Sequence, residues 1–458
     1  MRGRPWRGGL ASQNRCANRY SLGVHSRPPT RQLSLSEAAA LLDPVDSIGL
    51  PLGTGQPVGL IHALGERSDW EHLDVLAAML VDFYALFDHS GVFLTSTFFG
   101  PAERIYRDMG RNVAYLPTDF RRFATVMEQR RPRVVATAAS APDSDGWMSL
   151  SLHAGASVEE IHRAAADPDR LLIVESSPHF PRTRGLTSDD HRLHVDDVDV
   201  VCASDRRPVE LVDPEVTEVE LAIAAFAAEY IPNGATLQTG FGSIPSTIAT
   251  VLARGDGGDY GIHSEMFTTG LMRLHQAGKV TNANKAQFDG FSLVTFAAGI
   301  SELYEWLDGR DDVRFAPVSV VNSPEAITAN HAMVTINGAI AVDLWGQVTA
   351  DSIEGRQFSG VGGHEDFVSG SGIELEDRSL ICLPATAEVD GVLRSRIVTA
   401  FSPGSIVTTP RHQVDVIITE FGVAELRGRS TTERATALAA IAHPQFRDEL
   451  RAAIPTIP

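Results

Sequence analysis

The chain has 458 residues, of which 43% are hydrophobic, and its formal net charge is −19 at pH 7. This length and composition allow a large buried core and favour two or three domains over one. The negative charge argues against nucleic-acid partners, which need clustered Lys and Arg, and the three cysteines lack the spacing of metal ligands or disulfides.

The first segment, residues 1–33, contains several Arg, no Asp or Glu, and scattered Gly and Pro. This composition predicts a disordered basic tail outside the fold. Arg with Ser and no acids also resembles a mitochondrial transit peptide, although Pro and Gly interrupt the amphipathic helix that such a peptide needs. We therefore expect a cytoplasmic protein, with a mitochondrial location as the alternative.

Regular structure is expected from residue 34 onward. A short capped helix at 36–42 and a strand at 48–52 precede a GTGQP turn at 53–57, after which a helix should begin. The apolar stretch 73–86 carries two aspartates at helical spacing, which predicts an amphipathic core helix. No apolar run reaches the roughly twenty residues that a membrane span needs, so no membrane association is expected.

Strands and helices alternate in the next part of the chain. Strands are predicted at 134–137, 171–174 and 198–201, with helices at 157–166 and 216–230. Such alternation favours an α/β fold with a largely parallel sheet.

One local order occurs twice in the chain. A strand, a glycine-x-glycine turn, a proline and a helix follow one another at 48–57 and again at 236–252. A spacing of roughly 190 residues is too long for a solenoid, so we predict two tandem domains of similar topology, 34–212 and 213–458. The alternative is two ordinary strand-to-helix turns, which glycine and proline often punctuate.

Glu265 is the candidate nucleophile. It stands in GIHSEM at 261–266, where an apolar strand should run into a turn. A single Glu at a strand end is usually a solvated surface residue. Two other segments favour a catalytic role for Glu265 instead. TGFGSIP at 239–245 joins a strand to a helix, and FSGVGG at 358–363 supplies a second glycine loop. Two loops rich in free backbone groups and one carboxylate suggest acyl chemistry.

These segments resemble the acetyl-CoA hydrolase/transferase family, which includes 4-hydroxybutyrate and succinyl-CoA:acetate CoA-transferases. The likeness is strong from about residue 216 to the C terminus and moderate from 34 to 211. It rests on LQTGFGSIP at 237–245, GIHSEM at 261–266, INGA at 336–339 with VDL at 342–344, QFSGVGG at 357–363, SRIV at 395–398, TEFGVAELRG at 419–428 and AHPQFR at 442–447.

Three positions depart from the family pattern. His364 replaces the usual Gln, and Ser264 replaces the usual Thr before the glutamate. The acidic segment ELEDR at 374–378 replaces the usual Gly-Gly-Lys, which puts in doubt a cationic contact to CoA from that loop.

The resemblance implies a CoA-transferase fold, similar to that of the NagB and RpiA sugar-phosphate isomerases, and a ping-pong transfer through Glu265. The glutamate attacks an acyl-CoA thioester, forms an acyl-glutamyl anhydride and then holds CoA as a glutamyl thioester. A carboxylate suits this role, since it is expected to be ionised at neutral pH and to need no base. The resemblance also implies acyl-CoA and a small carboxylate as substrates, no other cofactor, and a homodimer.

Backbone donors are expected from the two glycine loops. We assign Gly362 and Gly363 to the oxyanion, because glycine lets its N–H approach without a Cβ in the way. Asn337 either donates to the site or orients the carboxylate, the alternative being a cap for the turn before Gly338. The groups predicted to contact CoA, in part through a helix N-terminus, are Gly240, Gly242, Ser243, Ile244, Pro245, Ser246, Gly360 and Val361.

Three functions stay open at this point. The first is a CoA-transferase that moves CoA from acetyl-CoA to a small carboxylate such as 4-hydroxybutyrate. The second is an acetyl-CoA hydrolase that uses the same glutamate, and differs only in whether water reaches the glutamyl thioester. The third is a non-catalytic acyl-CoA-binding protein, against which the presence of Glu265 argues.

Overall fold

The computed structural model describes residues 29–187, 190–212, 214–240, 242–372 and 374–454. The N-terminal half, up to residue 212, contains helices α1 (Leu35–Ala39), α2 (Val58–Gly65), α3 (Pro101–Asp108), α4 (Phe120–Arg130) and α5 (Val158–Ala166). Its strands are β1 (Arg31–Gln32), β2 (Val45–Leu52), β3 (His72–Ala78), β4 (Val92–Ser96), β5 (Val113–Tyr115), β6 (Val134–Ser140), β7 (Trp147–Ser149), β8 (Leu171–Ser177), β9 (Arg184–Gly185), β10 (Arg192–His194) and β11 (Val200–Ala203).

Eight of these strands form one parallel sheet, in the order β1-β11-β8-β6-β2-β3-β4-β5. Strand β6 lies near its middle and is buried along its whole length, as the uninterrupted small and apolar run VVATAAS indicates. Strands β7 and β10 pair separately as an antiparallel ribbon.

Two expectations for this half are wrong. The stretch 73–86 is not a helix, because strand β3 covers its first part and only a 3₁₀ turn at Ala85–Asp88 follows. The side chains at the start of β3 alternate between exposed and buried, so the two-residue period of a strand explains the pattern better than a helix does. Residues Arg31–Gln32, expected in the disordered tail, add an edge strand beside β11. The rest of the predicted tail, up to residue 28, lies outside the described residues.

The C-terminal half, from residue 214, contains helices α6 (Glu218–Ala228), α7 (Ser243–Arg254), α8 (Thr269–Gln276), α9 (Ser301–Leu307), α10 (Val318–Val321), α11 (Pro324–Thr328), α12 (His364–Gly370), α13 (Thr431–Ala440) and α14 (Arg447–Ala453). Its strands are β12 (Thr236–Thr239), β13 (Gly261–Ile262), β14 (Met266–Phe267), β15 (Ser292–Val294), β16 (Phe296–Ala297), β17 (Val313–Phe315), β18 (Met333–Gly338), β19 (Ala341–Asp343), β20 (Val348–Thr349), β21 (Ser352–Ile353), β22 (Arg356–Gln357), β23 (Arg378–Cys382), β24 (Thr386–Val389), β25 (Val392–Ser395), β26 (Ile397–Val398), β27 (Val416–Thr419) and β28 (Gly422–Glu425).

The main sheet of this half has the order β13-β12-β18-β23-β27-β28. Its strands run parallel except for the final pair, β27 and β28, which form an antiparallel hairpin. Helix α6 begins with a capping box in which the Thr217 side chain and Glu220 satisfy each other's backbone N–H groups. The prediction of an α/β fold with largely parallel sheets is confirmed.

The two halves share one apolar core. Its largest cluster includes Val135 and Leu172 from the first sheet together with Leu237 and Ile336 from the second. A small parallel sheet also joins them, because β9 of the N-terminal half pairs with β17, which pairs with β15. Within the described ranges, no helix is long and apolar enough to cross a membrane.

Candidate active site

Glu265 lies between strands β13 and β14, where the chain leaves the edge of the second sheet, and its side chain is half-buried. Its carbonyl oxygen accepts hydrogen bonds from the N–H groups of Thr295, at 2.9 Å, and Phe296, at 3.2 Å. The preceding residue, Ser264, is fully buried and exchanges hydrogen bonds of 3.3 Å with the backbone of Thr239. These contacts hold the carboxylate beside the loop that follows β12.

Asn322 is the carboxamide that contacts the candidate nucleophile. Its Nδ2 donates to Oε2 of Glu265 at 2.8 Å and to Oδ2 of Asp366 at 2.9 Å. The side chain is fully buried just after helix α10. The sequence analysis missed this residue, and the only available signal was a carboxamide directly after the apolar run VSVV.

The second glycine loop lies directly against the Glu265 carboxylate. A Cβ on Gly363 would come within 1.8 Å of Glu265 Oε2 and 2.7 Å of Asn322 Nδ2, so no other residue fits there without a rearrangement. Gly362 has a φ of +55°, which favours glycine, and its carbonyl accepts a 3.0 Å hydrogen bond from the N–H of Phe120. The structure therefore brings both glycines next to Glu265, and their assignment to an oxyanion stays a prediction.

The surroundings of Glu265 act on its pKa. Burial raises the pKa to about 8, and the negative charge of Asp366 adds to this rise. The hydrogen bonds from Asn322 and from the N–H of Gly363 lower it. The net shift runs against the expectation of a carboxylate that is ionised at neutral pH, because the surrounding protein removes water that stabilises charge.

The side chain of Asn322 also contacts a second carboxylate, that of Asp366, which is fully buried. Burial raises the pKa of Asp366 to about 6, although the hydrogen bond from Asn322 lowers it. The guanidinium of Arg121 lies 3.1 Å from Oδ1 of Asp366. The backbone N–H of Arg121 donates to Oδ2 of the same carboxylate at 3.2 Å. Since Arg121 belongs to helix α4, a row of polar contacts runs from the N-terminal half to Glu265.

The glycine loop is also fastened to the N-terminal half at its start. Arg104 on helix α3 donates to the carbonyl of Phe358 at 2.8 Å, and its guanidinium lies 4.3 Å from the centre of the Phe358 ring. Arg107 on the same helix donates to the carbonyl of Gln357. Gly360 packs so closely on the backbone of Thr97 that a Cβ would come within 2.6 Å of its carbonyl oxygen.

Asn337 has a different environment from the one expected. Its side chain forms a reciprocal pair with that of Gln238, with amide contacts of 3.2 and 3.3 Å. Gln238 also accepts a 3.1 Å hydrogen bond from the N–H of Ile336. The pair joins the ends of strands β12 and β18, and the amide donor at Glu265 is Asn322 instead.

The predicted CoA-contacting loop divides into two parts. Gly242, with φ of +121°, and Ser243 are half-buried, and open space surrounds the Cβ position of Gly242. The side chains of Ile244, Pro245 and Ser246 are buried, so these three residues could contact a ligand only through their backbone. The remaining predicted groups are Gly240, whose N–H donates to Ile336 at 2.8 Å, and Gly360 and Val361 in the second glycine loop.

Two histidines near the site are structural. His263 is fully buried, donates from Nε2 to the carbonyl of Val321 at 2.7 Å, and has a pKa lowered to about 3 by burial. It thereby holds β13 beside the turn that carries Asn322. Burial also lowers the pKa of His364 to about 4, and its Nε2 lies 2.9 Å from Oγ1 of Thr409. Both rings are neutral at pH 7 and cannot act there as cationic groups.

Comparisons with known proteins bear on the family of this chain. Residues 299–454 match the family model for the acetyl-CoA hydrolase/transferase C-terminal domain. A 4-hydroxybutyrate coenzyme A transferase from Clostridium kluyveri is 35% identical over 407 residues, which cover 86% of this chain and 90% of that protein. A succinyl-CoA:cyclohexane-1-carboxylate CoA transferase from Geobacter metallireducens is 33% identical over 418 residues, covering 90% and 92%.

A solved structure gives the same result for the fold. RipA from Yersinia pestis superimposes with a TM-score of 0.83 at 30% identity, covering 93% of this chain and 97% of that one. By fold and site, this is an α/β protein of the CoA-transferase class. Given the identity and coverage of its relatives, the chain belongs to the acetyl-CoA hydrolase/transferase family.

Proposed function

We propose that this protein is a CoA-transferase that moves CoA from a short-chain acyl-CoA, such as acetyl-CoA, to a small carboxylate such as 4-hydroxybutyrate. One observation carries the proposal: the Glu265 carboxylate lies against Gly363 with no room for a Cβ between them. A thioester carbonyl attacked by Glu265 would therefore lie close to the backbone N–H of Gly363, which donates to the Glu265 carboxylate and has no side chain of its own in the way. Such donors typically contribute about 3 kcal/mol each to the stabilisation of an oxyanion.

The reaction begins with attack of a Glu265 carboxylate oxygen on the thioester carbonyl carbon. A C–O bond forms, the C–S bond breaks, and the CoA thiolate leaves an acyl-glutamyl anhydride behind. The thiolate then attacks the glutamyl carbonyl and releases the first carboxylate, giving a glutamyl-CoA thioester. The second carboxylate repeats these two steps in reverse, and a new acyl-CoA and free Glu265 result.

Binding energy must drive the first step, because a carboxylate displaces a thiolate of higher pKa. Contacts to the distant nucleotide and pantetheine of CoA are suited to this task. The N–H groups at the start of helix α7, near Gly242 and Ser243, are candidates for part of them. Glu220 already accepts a hydrogen bond from the Ser243 hydroxyl, so its negative charge weakens the attraction of this helix end for phosphate.

Asn322 and the Gly363 N–H both favour the ionised form of Glu265. Against them, burial keeps the carboxyl mainly protonated until the pH approaches 8. We therefore expect kcat/KM to rise about tenfold per pH unit below pH 8 and to level off above it.

The direct test is the intact mass of the protein after mixing with acetyl-CoA, with Glu265→Ala as the control. We expect the wild-type protein to gain the mass of CoA, less one water, and the variant to gain nothing. Peptide mapping should locate the adduct at Glu265. A variant that forms the same adduct and keeps full activity would exclude Glu265 as the nucleophile.

Hydrolysis is the second candidate function, since the matching family model includes acetyl-CoA hydrolases as well as transferases. Both reactions pass through the same glutamyl thioester. Incubation of that adduct with and without 4-hydroxybutyrate separates them: a transferase needs the carboxylate to discharge CoA, whereas a hydrolase releases it in buffer alone. If CoA binds but forms no covalent adduct, the third function, that of a non-catalytic acyl-CoA-binding protein, would be favoured.

The other expectations of the sequence analysis remain predictions: a homodimer, no cofactor beyond the CoA substrate, and a cytoplasmic location with the mitochondrion as the alternative. Light scattering on the purified protein measures the first of these directly.

A further inference from the structure

A cavity lies apart from Glu265, between the β7–β10 ribbon and the edge formed by β9 and β17. Its volume is about 590 Å³, within the range of roughly 300–1,000 Å³ that small ligands occupy. Its described lining shares no residue with the surroundings of Glu265. The small sheet separates the two places, because Glu265 contacts the chain after β15, whereas the cavity lies along β9, at the opposite edge.

Four guanidinium groups line this cavity, although the chain as a whole is strongly acidic. They belong to Arg182, Arg184, Arg192 and Arg314. Arg184 and Arg314 face a single carboxylate, that of Asp311, at 2.9 and 3.8 Å. On this wall, the single negative charge of Asp311 therefore neutralises only one of the two guanidinium charges.

The opposite wall carries further positive charge. Arg182 donates to the carbonyl of Ala141 at 2.6 Å and lies 3.9 Å from Asp143, which is about 40% exposed at the rim. A carbonyl oxygen orients a guanidinium without cancelling its charge. The Arg192 guanidinium lies 3.7 Å from the centre of the Trp147 ring, and Arg192 also has a further partner, so its charge is not added to that of Arg182.

His191 lies at the base of this lining and is only 2% exposed. Its Nε2 lies 2.9 Å from the carbonyl of Ser151, so this nitrogen carries the proton. Its Nδ1 is buried away from the cavity surface, so the arginines are the groups that a ligand there would contact.

We propose that this cavity is a binding site for a small polyanion, a phosphate ester or a polycarboxylate, separate from the site around Glu265. Several guanidiniums around a partly enclosed space suit phosphate and carboxylate oxygens, because their planar donors pair with two oxygens at once. The cavity is too small for a macromolecule. This inference is independent of the proposed transferase function.

The test is calorimetric titration of the full-length protein with pyrophosphate and, separately, with citrate. The pyrophosphate titration is repeated with saturating CoA, which occupies the catalytic site. The variant is Arg184→Gln with Arg314→Gln, and the matched control is Arg111→Gln, which removes an ion pair with Asp88 elsewhere in the N-terminal half. Thermal unfolding checks that each variant is folded.

We expect one ion per chain, retained with CoA present, and at least about tenfold weaker binding in the double variant but not in the control. Tighter binding of pyrophosphate identifies a phosphate ester as the ligand class, and tighter binding of citrate a polycarboxylate. The proposal fails if neither ion binds, if CoA displaces the ion, or if the double variant binds as well as the wild type. It also fails if light scattering shows that the double variant alters the oligomeric state, since the arginines would then serve a subunit contact.

Discussion

The chemistry of the site depends on single residues at very short range. Glu265 is surrounded by one amide donor, Asn322, one glycine backbone, Gly363, and one second carboxylate, Asp366. Each changes either the charge of the Glu265 carboxyl group or the space around it. Substitutions at these positions therefore have separable effects.

Gly363→Ala is expected to abolish most of the activity. Its Cβ would overlap Glu265 Oε2 at 1.8 Å, so that the carboxylate or the loop must move, and kcat should fall at least about 100-fold. Steady-state kinetics with acetyl-CoA measures this effect. Gly338→Ala is the matched control, because nothing lies within 4 Å of its Cβ position. Wild-type turnover in Gly363→Ala would mean that this loop does not cover the carboxylate during catalysis.

Asn322→Ala is expected to change the pH dependence of the reaction. The hydrogen bond from Asn322 lowers the pKa of Glu265, so its loss should move the acid limb of kcat/KM to higher pH by about one unit. The pH profile reports this shift directly. Asn330→Ala removes another buried carboxamide, which donates to Ala326, and should leave the limb in place. An unchanged limb in Asn322→Ala would contradict the assigned role.

At the scale of elements, helix α3 holds the start of the glycine loop. Arg104 and Arg107 bind consecutive carbonyl groups of the segment that leads into it. The loop has little apolar side-chain mass of its own, so these contacts limit its conformational freedom.

Arg104→Gln should loosen the loop and leave the chemistry largely intact. We expect KM for acyl-CoA to rise several-fold with a smaller change in kcat, because binding must then order the loop. Hydrogen exchange of residues 357–363 should become faster. Arg131→Gln, which removes a surface ion pair with Asp167, is the control. Unaltered exchange in Arg104→Gln would show that Arg107 and the close packing of Gly360 on Thr97 are sufficient to hold the loop.

At the scale of the whole molecule, the site is complete only where the two halves meet. Glu265 and Asn322 come from the C-terminal half, whereas Phe120 and Arg121 come from helix α4. The pair between Arg121 and Asp366 links the halves through a fully buried carboxylate.

Arg121→Met is expected to lower the free energy of unfolding by roughly 1–3 kcal/mol at pH 7.5, because it leaves that carboxylate without its cation. Urea unfolding of Arg121→Met, Asp366→Asn and the double variant gives the coupling energy. Asp366, with a pKa of about 6, is ionised at pH 7.5 and protonated at pH 5, so the coupling should diminish at pH 5. The exposed pair of Arg131 and Asp167 should give a much smaller coupling at both pH values. Equal coupling energies for the Arg121–Asp366 and Arg131–Asp167 pairs would contradict the role of the buried pair in linking the two halves.

Several features could be predicted from the sequence alone. The α/β class follows from the order of apolar runs and turn residues, which is local information. Glu265, Gly362 and Gly363 are predicted as site residues because the glutamate and the glycine loop each lie in a short motif, and the structure brings them together. The stretch 73–86 was misassigned, since two polar residues eight positions apart suit a helix as well as a strand, and only pairing with β2 and β4 decides between them.

The sequence by itself thus determined the fold class and the positions of the glycine loops, and it singled out Glu265 as the candidate nucleophile, because these features lie in consecutive residues. Only the tertiary structure decided which groups surround Glu265. Asn322, Asp366 and Arg121 are far apart in the chain and carry no motif, so their meeting depends on how the sheets pack. The raised pKa of Glu265 has the same origin, since desolvation is a property of the folded surroundings and not of the residue.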